Sequence, residues 1–173
     1  SIHFPVKSSS LAADIRFRQL TPASASIDDA DLAVMRANHP GLTLSFALGF
    51  EGRKIVYMTD NELLPAARLA RSHIPYDRGK FIRFIKGADV LIHDSQYSDR
   101  EYRSKKGWGH SSWMEAVRLG AESDVRHLIL FHHDPDHADS VIDAQVEECR
   151  AMIGRLDVPM KCSAAQEGKE VRL

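Results

Sequence analysis

The chain has 173 residues, of which 23 are Lys or Arg and 24 are Asp or Glu, so its formal net charge is −1. This length favours one globular domain, and the even charge balance excludes a continuous basic surface for duplex DNA or for an anionic membrane. No apolar run approaches the ~20 residues of a membrane-spanning helix. Two cysteines without metal-binding spacing, Cys149 and Cys162, favour a reducing, cytoplasmic compartment.

The first third of the chain predicts β-strands. Apolar and polar residues alternate over 15–20 and 42–48, and a β-branched run occupies 54–58. Two later runs, over 89–93 and 127–131, are short and apolar, which is typical of strands buried on both faces. A closing hairpin is predicted over 161–173, around Glu167 and Gly168.

Helical patterns separate the later strands. Within 139–156, apolar residues recur on one face at a spacing of three or four. Ser112 and Glu115 form a capping-box pattern, which places His110 in the turn before a helix. Strands followed by alternating strands and helices predict an α/β domain with a mixed sheet, whose chemistry should gather where the parallel strands end. The predicted helices are 61–71, 79–87, 112–122 and 139–156.

Three of the predicted buried strands end on a side chain that can bind a metal ion: Asp60, Asp94 and His132. A single acidic residue after a strand can reflect turn preference alone, but three such side chains in one domain favour a functional reading. Parallel strands would bring them to one rim, where divalent cations find carboxylate oxygen and imidazole nitrogen together.

The histidines differ in what their surroundings predict. His110 lies in a glycine-containing segment at a helix start, where it either decorates a turn or, with Asp94 as its partner, transfers protons near neutral pH. His39, in a loop before a strand, is by itself typical of a solvated side chain. Because side chains alternate along a strand, His133 should point away from His132, which leaves His132 as the ligand of this cluster.

Four segments in order resemble the C-terminal half of the metallo-β-lactamase-fold hydrolases, and they are most similar to the RNase Z-like and phosphodiesterase-like branch. The resemblance implies an αββα sandwich, of which this chain would supply the C-terminal half as a mixed sheet flanked by helices. The family motif His-x-His-x-Asp-His does not occur in these residues, so 1–173 is expected to be a single domain and the C-terminal portion of a larger metallo-hydrolase domain. The four segments are 56–62, 88–97, 107–112 and 130–135.

The resemblance also implies a role for each candidate residue. His39, Asp60 and His132 would bind metal, with Asp60 bridging two ions, while His110 would protonate the leaving group and Asp94 would orient His110. Two divalent ions, zinc or else manganese or iron, would activate a water that hydrolyses a small-molecule or nucleotide phosphodiester. This chain alone is expected to be inactive, and it need not retain the metal.

An uncovered sheet face is a further expectation, because half of a two-sheet sandwich exposes apolar surface. The chain is therefore expected to form a homodimer or to associate with the missing N-terminal half. Two other functions stay open. One is a non-catalytic binding or regulatory module that keeps the fold without a working metal centre. The other is a receiver domain phosphorylated on Asp60, which the position of Asp28 and Asp29 disfavours because they precede the second predicted strand.

Overall fold

A single mixed sheet forms the centre of the protein. The computed structural model describes residues 24–63 and 77–173, together with Ala12. Within these residues seven strands lie side by side in chain order; the first four alternate in direction, and the last four all run in the same direction. The strands are β1 (Ser24–Ile27), β2 (Ala30–Arg36), β3 (Leu44–Phe50), β4 (Arg53–Met58), β5 (Val90–Asp94), β6 (His127–Phe131) and β7 (Lys161–Ala164).

Four helices of the described residues lie between the parallel strands: α1 (Arg78–Ile85), α2 (Asp99–Tyr102), α3 (Trp113–Glu122) and α4 (Asp139–Leu156). At the start of α2, Ser98 and Glu101 form a complete capping box. The box predicted at α3 is only half formed. Ser112 accepts a hydrogen bond from the Glu115 backbone N–H, but the Glu115 carboxylate bonds arginine side chains instead of returning to the cap.

One face of the sheet carries the hydrophobic core. Inward side chains of β4, β5 and β6 pack against α1, α3 and α4 and are fully buried, and each contributes ~1.5–3 kcal/mol by leaving water. Cys149 and Cys162 belong to this core as free thiols. The sheet residues with no exposed surface on this face include Val56, Met58, Leu91, Leu128 and Leu130.

The opposite face of the same strands is only partly covered by the described residues. A groove of about 310 Å³ runs along it, and the C-terminal segment 165–173 forms one wall. Tyr57, which lines this groove, keeps 39% of its surface exposed. The groove is also lined by Ile55, Ile92, Ile129, Phe131, Val171 and Leu173.

The predicted α/β class with a mixed sheet is confirmed, and β3 to β6 match the predicted strands to within two or three residues. The hairpin over 161–173 is wrong: β7 pairs in parallel with β6, and the chain then turns onto the grooved face without a returning strand. In the predicted helix 61–71, residues 61–63 are not helical, and 64–71 lie outside the described residues, as does the predicted strand 15–20. None of the described helices has the length and hydropathy needed to cross a bilayer.

Candidate metal centre

The ends of three parallel strands bring the predicted metal ligands together. Met58, His93 and Leu130 form one registered row across β4, β5 and β6. Asp60 and His132 each lie two residues beyond that row, on either side of β5. Their side chains meet, with His132 Nε2 at 3.2 Å from Asp60 Oδ1. Of the three residues expected on one rim, Asp60 and His132 meet there, whereas Asp94 is fully buried.

Both of these residues have a left-handed backbone, with φ of 47° at Asp60 and 58° at His132. Residues other than glycine rarely adopt this conformation, and holding one there costs on the order of 1–3 kcal/mol. The other described non-glycine residues with positive φ lie in tight turns or at helix ends, where the turn itself explains them. At the strand ends, the unusual backbone coincides with the meeting of two potential ligands. Those other residues are Asp28, Glu51, Asp124 and Asp157.

Asp94 and His110 form a second pair directly beneath this contact. His110 Nδ1 lies 2.7 Å from Asp94 Oδ2, so the ring donates its Nδ1–H to the carboxylate. Asp94 has no exposed side-chain surface, and its other oxygen accepts from the backbone N–H groups of Gln96 and Ser111. Three donors compensate the burial of this charge. The arrangement fixes the orientation of His110 and leaves its Nε2 facing away from Asp94.

The electrostatic surroundings of His110 act in opposite directions. Burial lowers the pKa of the imidazole, whereas the hydrogen bond and negative charge of Asp94, together with Asp60 and Glu62, raise it, and the net pKa lies above its usual value. The ring also stacks on His132, with centroids 4.7 Å apart. His110 is thus held among three carboxylates that favour its protonated form.

His39 approaches from the loop after β2. Its ring lies edge-on to His110 at 5.5 Å, and its Nδ1 lies 3.2 Å from the Thr43 hydroxyl and 3.1 Å from the Gly41 nitrogen. Gly109 packs so closely against it that a Cβ at this position would lie 2.1 Å from His39 Cδ2. Glycine is required here for space as well as for its φ of 95°.

Buried polar residues tie the three ligand-bearing loops to one another. The Asn38 backbone N–H donates to Asn61 Oδ1, and the Asn38 amide donates to the Glu62 carbonyl, which joins the His39 loop to the Asp60 loop. The Ser111 hydroxyl donates to the Asn61 carbonyl and accepts from the Leu63 N–H, which joins both to the His110 loop. The loops that carry His39, Asp60 and His110 therefore rest on a shared hydrogen-bonded base.

Within this hydrogen-bonded base, the Glu62 carboxylate accepts several hydrogen bonds. It accepts hydrogen bonds from the Tyr102 hydroxyl at 2.6 Å and from the backbone N–H groups of Gly107 and Gly109 at 2.8 and 3.0 Å. The side chain is 4% exposed. It fixes the loop that carries His110 and that presses Gly109 against His39.

Sequence reasoning missed the residues of this base, although a signal for them existed. Each is a polar residue directly beside a predicted ligand or proton donor, where burial requires a compensating partner. Asn61 and Glu62 follow Asp60, Asn38 precedes His39, and Ser111 follows His110.

The donor atoms fit a divalent cation. Imidazole nitrogens and carboxylate oxygens suit zinc, manganese and iron, and His132 Nδ1 is buried without a hydrogen-bond partner among the described residues. Two groups of side chains place all their ligand atoms within 4.8 Å of one another, and both groups include His110. The distances therefore leave His110 available as a ligand or as a proton donor. The groups are His39, Asp60 and His110, and Asp94, His110 and His132.

The other histidines of the cluster lie outside the metal centre. His137 pairs with Glu101 at 3.1 Å and accepts from the Gln145 amide, so it links the loop after β6 to α2 and α4. Burial lowers the pKa of His133. Neither joins a group of ligand atoms.

Comparison with known proteins agrees with this geometry. The family described as the beta-lactamase superfamily domain matches residues 6–133. Among curated proteins, the chain is 30% identical over 100 residues to ribonuclease Z of Brevibacillus brevis, covering 58% of this chain and 27% of that protein. It is 33% identical over 101 residues to ribonuclease Z of Thermoplasma volcanium, covering 58% and 28%. The chain thus matches less than a third of the length of these relatives.

Solved structures show the same fold. The metallo-beta-lactamase fold protein YhfI from Bacillus subtilis superposes with a TM-score of 0.67 at 17% identity, over 87% of this chain and 52% of that protein. The short form of human tRNase Z gives a TM-score of 0.54 at 17% identity, over 84% and 45%. On the family match, the sequence relatives and the fold, the chain belongs to the beta-lactamase superfamily as an RNase Z-like domain of the metallo-β-lactamase fold.

Proposed function

We propose that this chain is part of a metal-dependent phosphodiesterase and contributes His39, Asp60 and His132 to a dinuclear metal site. The observation that carries the proposal is the contact of 3.2 Å between His132 Nε2 and Asp60 Oδ1, made by two residues on left-handed backbone at the ends of β6 and β4, the two strands that flank β5. Support comes from the ribonuclease Z relatives, whose name denotes the cleavage of a phosphodiester chain. When bound, divalent ions lower the pKa of a water and neutralise phosphate charge.

The remaining residues perform orientation and proton transfer. Asp94 accepts a hydrogen bond from the Nδ1–H of His110, which leaves Nε2 to donate a proton to the oxygen that departs from phosphorus. The hydrogen bonds of Asn61, Glu62 and Ser111 hold this imidazole beside the rim, so that His110 and the metal ligands face the same phosphate. Asp94 thus orients the His110 ring and stabilises its protonated form, as the carboxylate partner of a histidine commonly does.

Metal content tests the proposal directly. The native polypeptide that carries this chain is expected to bind zinc, manganese or iron near stoichiometrically, and His132→Asn should lower that content because it removes a ligand while asparagine tolerates the left-handed backbone. His127→Asn is the matched control, since His127 lies on the same strand at its opposite end, 2.8 Å from Ser163. Metal is measured by plasma mass spectrometry, and activity with bis(p-nitrophenyl) phosphate. A native protein without metal or phosphodiesterase activity would favour the non-catalytic module instead.

We also propose that residues 1–173 are the C-terminal portion of the catalytic domain, and that the grooved face is covered by a second copy or by the N-terminal half. This rests on the partly open apolar face and on the lack of a His-x-His-x-Asp-His motif in the sequence. Residues 1–173 alone should be inactive, and gel filtration should show a dimer or a complex with the upstream segment. A stable monomer with full activity would contradict this proposal.

A further inference from the structure

The loop between α2 and α3 concentrates positive charge beside the metal centre. Four cationic side chains lie between positions 100 and 106, and none of them makes a salt bridge within 24–63 and 77–173. The two acidic residues of α2 are engaged elsewhere, Asp99 with Arg118 and Glu101 with His137. Within the part of the chain that the structure describes, the segment therefore presents cations without salt-bridge partners, on a chain whose overall charge is near zero. They are Arg100, Arg103, Lys105 and Lys106.

Trp108 stands in the same loop with 56% of its surface exposed. The Lys105 ammonium lies 4.0 Å from the ring centroid, so a cation occupies one side of the indole while much of the ring area stays open. The second tryptophan of the chain, Trp113, is different: it is 6% exposed and donates to Glu148. Exposing the largest apolar side chain is unfavourable in the free protein, and such residues commonly mark binding sites.

The position of Trp108 is fixed relative to the candidate catalytic residues. It lies two residues before His110, which places the two Cα atoms within about 7 Å along the chain. The backbone N–H groups on either side of it, at Gly107 and Gly109, both donate to Glu62. The indole is thus presented from a held backbone at the edge of the metal centre.

We propose that this loop binds a nucleotide of a single-stranded nucleic acid, with its base stacked on Trp108 and its phosphates bound by Lys105 and Lys106. The inference rests on the proposed phosphodiesterase function and assigns to this loop the binding of an unpaired stretch of its substrate. An exposed aromatic ring among cations that make no salt bridge with the described residues is the combination that single-stranded nucleic acids require, because every base has a flat face and every linkage a negative charge. A paired base cannot stack on a side chain in this way, so the site selects unpaired segments.

Intrinsic fluorescence of the 173-residue chain tests this proposal without requiring metal or catalysis. The chain has two tryptophans, and only Trp108 is exposed. In EDTA, a uridine pentaribonucleotide should quench the emission, and Trp108→Leu should abolish that quenching. Binding followed by a fluorescent label on the oligonucleotide should weaken about 5- to 150-fold in Trp108→Leu. Trp108→Tyr, which retains an aromatic face, should restore most of the affinity.

An abasic pentamer provides the matched ligand. It should bind the wild type and Trp108→Leu equally, because it offers phosphates without bases. Lys106→Gln should reduce the salt dependence of pentamer binding by about 0.7 in log–log slope, whereas Lys161→Gln, at the opposite end of the parallel strands, should leave it unchanged. Unaltered thermal unfolding of the variants confirms that they are folded.

Three results would overturn the proposal: equal affinity of the wild type for the normal and abasic pentamers, no weakening in Trp108→Leu, or binding of uridine 5′-monophosphate as tightly as the pentamer. These outcomes are separate from failure of the proposed function. A protein without metal or hydrolytic activity that still shows Trp108-dependent quenching loses the enzymatic proposal and keeps this one. An active phosphodiesterase whose oligonucleotide binding does not depend on Trp108 would keep the enzymatic proposal and lose this one.

Discussion

Asp60 and Asp94 follow neighbouring strands of one sheet, yet their surroundings are opposite. Asp60 lies at the rim, 37% exposed, beside the imidazoles of His110 and His132, on left-handed backbone. Asp94 lies beneath it, fully buried and provided with three hydrogen-bond donors. The buried polar residues that support the site, such as Asp94, are here called the floor. Glu62 resembles Asp94 in this respect, since it too is buried and accepts three hydrogen bonds.

The difference indicates that the rim and the floor of one cluster have different roles. In the floor, each carboxylate has the donors that offset its desolvation, so these residues support the structure whether or not a ligand is bound. At the rim, polar atoms remain accessible or lack partners, and the backbone is held in an unfavourable conformation. Substitutions at the rim should therefore affect chemistry, and substitutions in the floor should affect stability first.

Asp60→Asn gives the largest expected effect and is the strongest test of the rim. Loss of a metal-binding carboxylate should reduce phosphodiesterase activity by at least about 10²-fold, since changes in residues that only support metal ligands already cost 10- to 100-fold. The free energy of unfolding should hardly change, because asparagine tolerates positive φ. Kinetics with bis(p-nitrophenyl) phosphate and urea denaturation measure the two quantities. Asp136→Asn, in the loop after β6, is the control; a large loss of stability in Asp60→Asn would assign Asp60 to the floor.

Gly109→Ala should disturb both the rim and the floor. The new methyl group would meet the His39 ring, and alanine is strained at this φ, which by itself costs about 1–3 kcal/mol. We expect lower stability in urea together with weaker metal binding through the displaced His39. Gly168→Ala provides a comparison, because its φ is also positive and no atom lies within 4 Å of the place that its new methyl group would occupy. Equal behaviour of the two variants would show that the contact with His39 is unimportant.

Glu62→Gln should act on the floor. The amide retains the size of the side chain but turns an NH₂ group toward N–H or O–H donors, so unfolding should require about 1–3 kcal/mol less free energy. Glu167→Gln, at an exposed position near the C-terminus, should have no such effect. Chemical denaturation provides the measurement. A Glu62→Gln protein as stable as the wild type would mean that the three hydrogen bonds contribute little.

A smaller effect is expected from His93, which is buried under the floor. Burial lowers its pKa, and its neutral ring donates Nδ1–H to the Asp94 carbonyl and accepts from the Asn61 amide at Nε2. Because the unfolded chain has the ordinary histidine pKa of about 6.5, it binds the proton more readily, so this contribution to stability is present above pH 6.5 and is lost as the pH falls below it. Denaturation between pH 7.5 and 5.5 should show a shallower pH dependence in His93→Gln than in the wild type. Parallel curves would contradict this assignment.

The sequence predicted the rim better than the floor, for a physical reason. Strands end where apolar runs end, so the rim residues Asp60 and His132 could be placed at the same ends of the parallel strands from local pattern alone, whereas the burial of Asp94 in the floor could not be predicted. The hydrogen bonds of Glu62 join positions 40 to 47 residues apart, and no local pattern records them. Strands β1 and β2 were not predicted, and the false hairpin at the C-terminal end of the sequence followed a Glu–Gly turn signal whose second arm lies across the grooved face instead.

The C-terminal segment along the groove has a practical consequence. Val171 and Leu173 form part of the groove wall, so a fluorophore attached at position 173 would sit at its mouth. Its emission would respond when another polypeptide covers that face, and an affinity tag fused there would obstruct the same event. A tag should therefore be placed away from this segment, and a label at position 173 would report whether the grooved face becomes covered.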